Sequence, residues 1–478
     1  MSRQPLLFLL LSAASLLAQA QSTLPATVNQ ALAAAKIPAA SVAVMVQEVG
    51  VHHEILKSNA AAPMNPASVM KLVTTYAALE QLGPAYRWKT EAYITGALQD
   101  GVLDGDLFLK GGGDPKLDLE AFMRLVRALR GKGLREIRGN LVLDRSRFER
   151  NGGDAGGFDG DPFRPYNVQP DALLVNYKSI RFVFVAEPER AAVRVYAEPK
   201  PPSLEVVNVL KLAEGACPEG SAFRELLKPT FETARQRVTF SGQFPASCGE
   251  KDLNVALLEP NDQVAGVMRQ FWSESGGVWN NSGTGSVRDG TVPPGARLLH
   301  AMDSASLAEI VRDTNKFSNN IMARHLFLTL GAESAGAPAN TQKSVAAIRS
   351  WLAAKKIAAP ELVMENGSGL SRVERISAGN LAALLQAAWK SPVMPEFISS
   401  MPIAGTDGTM RRRVKGEGIS GQAHIKTGLL SDVRSMAGYV LGRDGRRVVV
   451  VMIVNHPAAH QAQPAMDALL RWVYEGSR

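Results

Sequence analysis

The 478-residue chain is 46% hydrophobic and 21% charged, with 42 glycines, 27 prolines and 2 cysteines. That length predicts about two or three domains with apolar cores, and the composition excludes a mainly disordered chain, a collagen-like fibre and a disulfide-dense mini-protein. Lys and Arg outnumber acidic residues 53 to 45, a net charge of +8 read here as ordinary solubility rather than as a sign of an anionic partner.

Residues 1–20 read as a leader. Arg3 gives a positive start, Leu6 to Leu17 an apolar run, and Ala18-Gln19-Ala20 a small-x-small cleavage site. The run is shorter than the roughly 20 residues that cross a bilayer, so no transmembrane anchor is expected and the mature chain should begin near Gln21. Export makes the cysteines interpretable. An oxidising compartment favours one bridge between Cys217 and Cys248 over two buried thiols, and without a C-x-x-C there is no support for a zinc ribbon or thiol oxidoreductase.

Residues 41–58 hold two β-like runs around Gly50, an antiparallel hairpin. Val69, Leu72, Val73, Tyr76, Ala77 and Leu79 follow at helical spacing until Gly83-Pro84. From about residue 85 to 270 short β-like runs alternate with Gly/Pro/Asp loops, which predicts a β-rich insertion in two parts. Helical spacing returns with Leu307, Ile310 and Val311, then Ile321, His325 and Leu328. Three strand candidates follow, Ala423 to Gly428, Ser435 to Leu441 and Arg447 to Asn455, and a helix from Ala465 to Tyr474 closes the chain. Antiparallel strands at both ends with helices between them predict one α+β domain interrupted by the insertion.

Three clusters carry chemistry. Ser68-Val69-Met70-Lys71 puts a hydroxyl and an amine one helical turn apart. A serine hydroxyl needs a neighbour to take its proton, and lysine can do so only if its pKa falls by roughly 3 units, about 4 kcal/mol. Ser318-Asn319-Asn320 offers a second hydroxyl for proton relay and an amide to hold Lys71; alone, it would read as a helix cap. Lys426-Thr427-Gly428 offers a fixed charge, a hydroxyl and an open strand edge, a combination suited to a substrate carboxylate. Their order along the chain, helix first and strand last, argues against coincidence.

This set resembles the S-x-x-K, S-x-N and K-T-G motifs of serine penicillin-binding proteins and β-lactamases. The long stretch between the first two motifs is similar to the class C low-molecular-mass penicillin-binding proteins, the D-alanyl-D-alanine carboxypeptidase/endopeptidases of the penicillin-binding protein 4 type. Gly111 to Pro115, Asn366 to Arg372 and Gly405 to Thr409 add to the match. The resemblance implies an antiparallel sheet flanked by helices, formed by residues 21–85 and 270–478, with one inserted domain at 86–110 and 165–269 and a second at 111–164. It implies Ser68 as nucleophile, Lys71 as proton acceptor, Ser318 and Asn320 in the proton network, and Lys426, Thr427 and Gly428 on the terminal carboxylate. Backbone N–H groups of Ser68 and Leu429 would form the oxyanion hole. Asp159, Arg372, and Leu430 or Ser431 would face the substrate's diaminopimelate side chain. Two departures stand out: Glu365-Asn366-Gly367-Ser368-Gly369 where Asp-Gly-Ser-Gly is usual, and Leu429 where a smaller residue follows the third motif.

Other patterns carry less. There is no G-x-S-x-G elbow, Gly111 to Gly113 is no phosphate loop, and His52-His53 reads as a hairpin end. Arg411 to Arg413 reads as a solvated face, the alternative being a contact with anionic wall polymer or lipid. No basic-aromatic pattern points to nucleic acid. The expected protein is an exported, periplasmic hydrolase of peptidoglycan stem peptides, acylated by β-lactams, needing no metal or cofactor. A β-lactamase or esterase on the same residues, and a non-catalytic wall scaffold, are the other readings.

Overall fold

The computed structural model describes residues 24–51, 53–150, 153, 155–220, 222–279 and 286–476. The leader expected over residues 1–20, and His52, lie outside them.

Five antiparallel strands form the central sheet: β1 (Val42–Glu48), β2 (Glu54–Ser58), β3 (Ala423–Leu429), β4 (Val433–Leu441) and β5 (Arg447–Asn455), in the order β2-β1-β5-β4-β3. The strand β5 reads Val-Val-Val-Val-Met-Ile-Val without polar alternation because both faces of the sheet are covered. Val449, Val451 and Ile453 pack with Ala437 and Tyr439 against α1 (Lys71–Leu82) and the helix Ala378–Trp389. Val448, Val450, Met452 and Val454 face the helix Ala26–Ala34 and the closing helix, whose Met466, Leu469 and Leu470 seal the other core. Helix α1 is buried from Lys71 through Leu79, so it runs through the middle of the domain and not along its surface. Gly83, at φ +81°, ends it.

The insertion departs from its expected division. A mixed sheet containing Lys89–Ile94, Leu107–Gly111, Leu141–Asp144, Val287–Asp289 and Arg297–Asp303 shares one core with the helices Leu119–Gly131 and Pro260–Glu274. A separate core, built on Phe182, Phe184, Phe240 and Phe244, gathers the β-strands between Ile180 and Val255. The inner unit is thus bounded near 180 and 258, not at 111 and 164. The return to the main domain falls near 304 instead of 270, because Arg297–Asp303 pairs antiparallel with the outgoing strand Lys89–Ile94. Ser304 N–H then closes on the Trp88 carbonyl at 2.9 Å. Cys217 and Cys248 are joined by a disulfide in the inner unit. Among the described residues no helix is long and apolar enough to cross a membrane.

Candidate active site

Ser68 sits in a 3-10 turn, Ala67–Met70, that runs directly into α1. The turn is held from both sides. Asn65 Oδ1 accepts the Ala67 N–H at 2.9 Å, and Gly369 lies so close to the Ala67 carbonyl that a Cβ there would meet it at 1.8 Å. Lys71 opens α1, and helical side chains lean toward the N-terminus, which aims its amine back at the serine. Lys71 Nζ lies 2.9 Å from Ser68 Oγ and 2.6 Å from Asn320 Oδ1, and it also donates to the Ser368 carbonyl. The side chain is fully buried. Burial, reinforced by the neighbouring Lys426 and Arg324 charges and opposed by Glu374, holds its pKa well below the usual lysine range.

Ser318 occupies the junction between α2 (Leu307–Lys316) and α3 (Asn320–Ala335), at φ 56°. The helix cap is Asn319, whose Oδ1 accepts the Met322 N–H at 3.0 Å. This frees its two neighbours. Ser318 turns to Lys426, and Asn320, the first residue of α3, to Lys71.

Lys426 projects from β3, the edge strand of the sheet. Its Nζ donates to Ser318 Oγ at 2.8 Å and to the Thr427 carbonyl at 2.8 Å, and burial lowers its pKa to about 7. Thr427 Oγ1 lies 2.7 Å from Thr409 Oγ1. A Cβ on Gly428 would come within 3.0 Å of Ser68 N, which measures how closely the strand edge approaches the serine. Leu429, 57% exposed, stands at the mouth. Ser68, Ser318, Asn320, Thr427, Gly428 and Leu429 thus meet in one cleft of about 740 Å³.

Asp159 also lines this cleft, from the loop after Leu141–Asp144; its carboxylate accepts from Tyr166 Oη at 2.8 Å and Asn167 Nδ2 at 2.7 Å. Arg372 lies at an adjoining hollow, with its guanidinium 4.5 Å over the Phe158 ring, 3.0 Å from Asp432 and 3.1 Å from Ser431 Oγ. Leu430 is largely buried beside Ala67 and Val433. Arg411 and Arg412 are exposed, whereas Arg413 pairs with Asp467. Among the described residues no His, Cys, Asp and Glu cluster could hold a metal.

Sequence reasoning misses Glu374. It is fully buried, and its Oε1 accepts the N–H groups of Glu365, Asn366 and Gly367 at 3.0 Å each, fixing the turn whose Ser368 carbonyl receives Lys71. Burial raises its pKa against those three hydrogen bonds. A single acid in Val-Glu-Arg-Ile carries no signal for such a role.

A fully buried amine against a serine, with a second amine–serine pair beside it, is suited to acyl transfer without a metal. The family model for the D-Ala-D-Ala carboxypeptidase 3 (S13) family matches residues 24–473. A D-alanyl-D-alanine carboxypeptidase from an Actinomadura species is 30% identical over 444 residues, covering 89% of this chain and 80% of the relative. Penicillin-binding protein 4 of Haemophilus influenzae superposes with a TM-score of 0.76 at 23% identity, covering 94% of this chain and 99% of that one. The same protein complexed with a β-lactam gives 0.72 at 22% identity, over 93% and 99%.

Proposed function

We propose, from the premise that the chain belongs to the D-Ala-D-Ala carboxypeptidase 3 (S13) family, that Ser68 is its acylated nucleophile and Lys71 the base that activates it. The protein is a serine D-Ala-D-Ala carboxypeptidase acting on peptidoglycan stem peptides. Lys71, whose charged form burial disfavours, takes the Ser68 proton as Oγ attacks the carbonyl of the penultimate D-Ala. Backbone N–H groups of Ser68 and Leu429 would stabilise the oxyanion, at about 3–4 kcal/mol per donor. Ser318, hydrogen-bonded to Lys426, relays that proton from Lys71 to the departing amine. Lys426, Thr427 and Thr409 hold the terminal carboxylate, and water then hydrolyses the ester, Lys71 taking a proton from the water and passing it to Ser68 Oγ.

The reading extends to cleavage of D-amino-acid cross-links, to a periplasmic site of action, and to trapping by β-lactams, which offer a similar acyl group and carboxylate. Asp159 and Arg372 would border the part of the cleft that takes the donor's diaminopimelate side chain. The buried contact between Lys71 Nζ and Ser68 Oγ carries the proposal. Its test is labelling with a fluorescent penicillin. Wild type should label and shorten stem pentapeptides by one D-Ala, as seen by mass spectrometry, and Ser68→Ala should do neither while keeping its circular dichroism spectrum. Labelling that persists in Ser68→Ala would overturn the assignment.

A further inference from the structure

Arg434 lines the cleft as a half-buried cation, and among the described residues no carboxylate lies within ion-pair distance of it. Its hydrogen bond to Gln463 Oε1 spans 3.5 Å, the limit of such a contact. The nearby Asp467 is taken by Arg413, whose Nε donates to it at 2.9 Å. Across the cleft, Asp159 is occupied by Tyr166 and Asn167. Burial and the adjacent Arg413 charge disfavour the guanidinium's proton, opposed by the Asp467 charge beyond ion-pair distance, yet an arginine stays charged. A partly desolvated cation without an ion-pair partner of its own is costly unless an anion arrives with the ligand.

The register of the sheet says where that anion would lie. Arg434 of β4 sits directly opposite Leu429 of β3, and Thr427 is two residues before Leu429. Alternate strand residues share a face, so Thr427, Leu429 and Arg434 all stand on one side of the sheet, while Lys426 and Gly428 stand on the side of Ser68. A diagonal pair of this kind has its Cα atoms about 7–8 Å apart. A leaving group anchored by its carboxylate at Thr427 therefore extends over the face that carries Arg434, with His460 and Gln463 on the same wall of the cleft.

We propose that Arg434 receives a second carboxylate on the leaving group, and so favours peptide leaving groups, the acceptor strand of a wall cross-link, over free D-alanine, whose one carboxylate is already used at Thr427. The inference rests on the hydrolase reading above. A guanidinium fork matches a carboxylate bidentately, and such charge-assisted bonds are the strong ones.

The test compares kcat/KM for a cross-linked muropeptide dimer and for a monomeric pentapeptide, in wild type, Arg434→Gln and Arg434→Lys. We expect the dimer-to-monomer ratio to fall about tenfold in Arg434→Gln, to recover most of that loss in Arg434→Lys, and to fall with added salt in wild type and Arg434→Lys but not in Arg434→Gln. Fluorescent-penicillin labelling of each variant verifies that the site is folded. If wild type cleaves both substrates and the ratio is unchanged in Arg434→Gln, this inference is overturned and the hydrolase reading stands. If wild type cleaves neither and takes no penicillin, both fall.

Discussion

Lys71 Nζ stands 2.9 Å from Ser68 Oγ with no exposed surface of its own, so the amine proposed to accept the serine's proton sits where a charge is hardest to keep. Three oxygens surround it, those of Ser68, Asn320 and Ser368. A guanidinium at this position cannot become neutral. Lys71→Arg should therefore lower the rate of acylation by a fluorescent penicillin by about 10²–10⁴-fold. Thermal unfolding of the variant provides the control. An acylation rate within a few-fold of wild type would mean that another group takes the proton.

The pH profile follows from the two amines having different tasks. In the proposed mechanism Lys71 works as the neutral form, so acylation rises as it loses its proton, and burial moves that limb well below the usual lysine range. Lys426 works as the cation. In the free enzyme it loses its charge as pH rises through about 7, which weakens the hold on a carboxylate. The profile of kcat/KM for carboxylate-bearing substrates should be a bell whose alkaline limb reports Lys426. Lys426→Met should remove that limb, and it should also move the acid limb to higher pH, since the neighbouring charge no longer disfavours protonated Lys71. Stopped-flow acylation between about pH 5 and pH 10 reads both limbs. An alkaline limb that survives in Lys426→Met would assign it elsewhere.

The same lysine costs stability. Its folded pKa is about 7 against the usual 10.5, so between these values the unfolded chain binds more protons and wild-type stability rises with pH. Lys426→Met removes this contribution. Any gain in Tm over wild type should be largest at or below pH 7 and shrink toward pH 10.5, at roughly 1.4 kcal/mol per pH unit for a single group. Differential scanning calorimetry at several pH values tests the slope; a gain independent of pH would show that Lys426 is not buried as a reluctant cation.

Glu374 lies beneath the turn that receives Lys71, and its two oxygens differ. Oε1 takes three backbone N–H groups while Oε2, also buried, has no partner. Glu374→Gln keeps one oxygen for the three donors and removes the charge that favours protonated Lys71. The fold should persist and the acid limb of acylation should move to lower pH. Glu374→Ala leaves three buried donors unmet, at about 1–3 kcal/mol each, and should lower Tm sharply. Equal stability of the two variants would show that the hydrogen bonds do not hold the turn.

How much of this the sequence carries depends on how local the determinant is. The hairpin at 41–58, α1 with its Gly83 stop, and the three closing strands are legible because each repeats an apolar pattern over many residues. The Ser68–Lys71 pair is legible because one helical turn fixes its geometry. The insertion is harder. Leu119–Gly131 belongs with Pro260–Glu274 through a core that closes across a whole nested unit, and no local pattern announces such a partner. Glu374 and Arg434 are unreadable for a related reason. What singles out Glu374 is three backbone donors meeting one oxygen, and what singles out Arg434 is a missing ion-pair partner; both are properties of assembled space.

Gly428 closes the geometry of the site, and a single methyl group should reveal it. A Cβ at this position would lie 2.2 Å from Ser435 Oγ, 2.7 Å from the Pro66 carbonyl and 3.0 Å from Ser68 N. A free serine hydroxyl would rotate away, but Ser435 Oγ already donates to that same Pro66 carbonyl at 2.5 Å. Relief must therefore come from the edge strand moving away from the turn that carries Ser68. That movement opens the distance between the Ser68 N–H and the Leu429 N–H, the two donors expected to share one oxyanion. Loss of one such donor costs about 10²–10³ in rate. Gly428→Ala should cut acylation and peptide hydrolysis by a comparable factor, with little change in Tm beyond the few degrees expected of an overpacked edge. Acylation at the wild-type rate would show that the strand and the serine turn are not in register for catalysis.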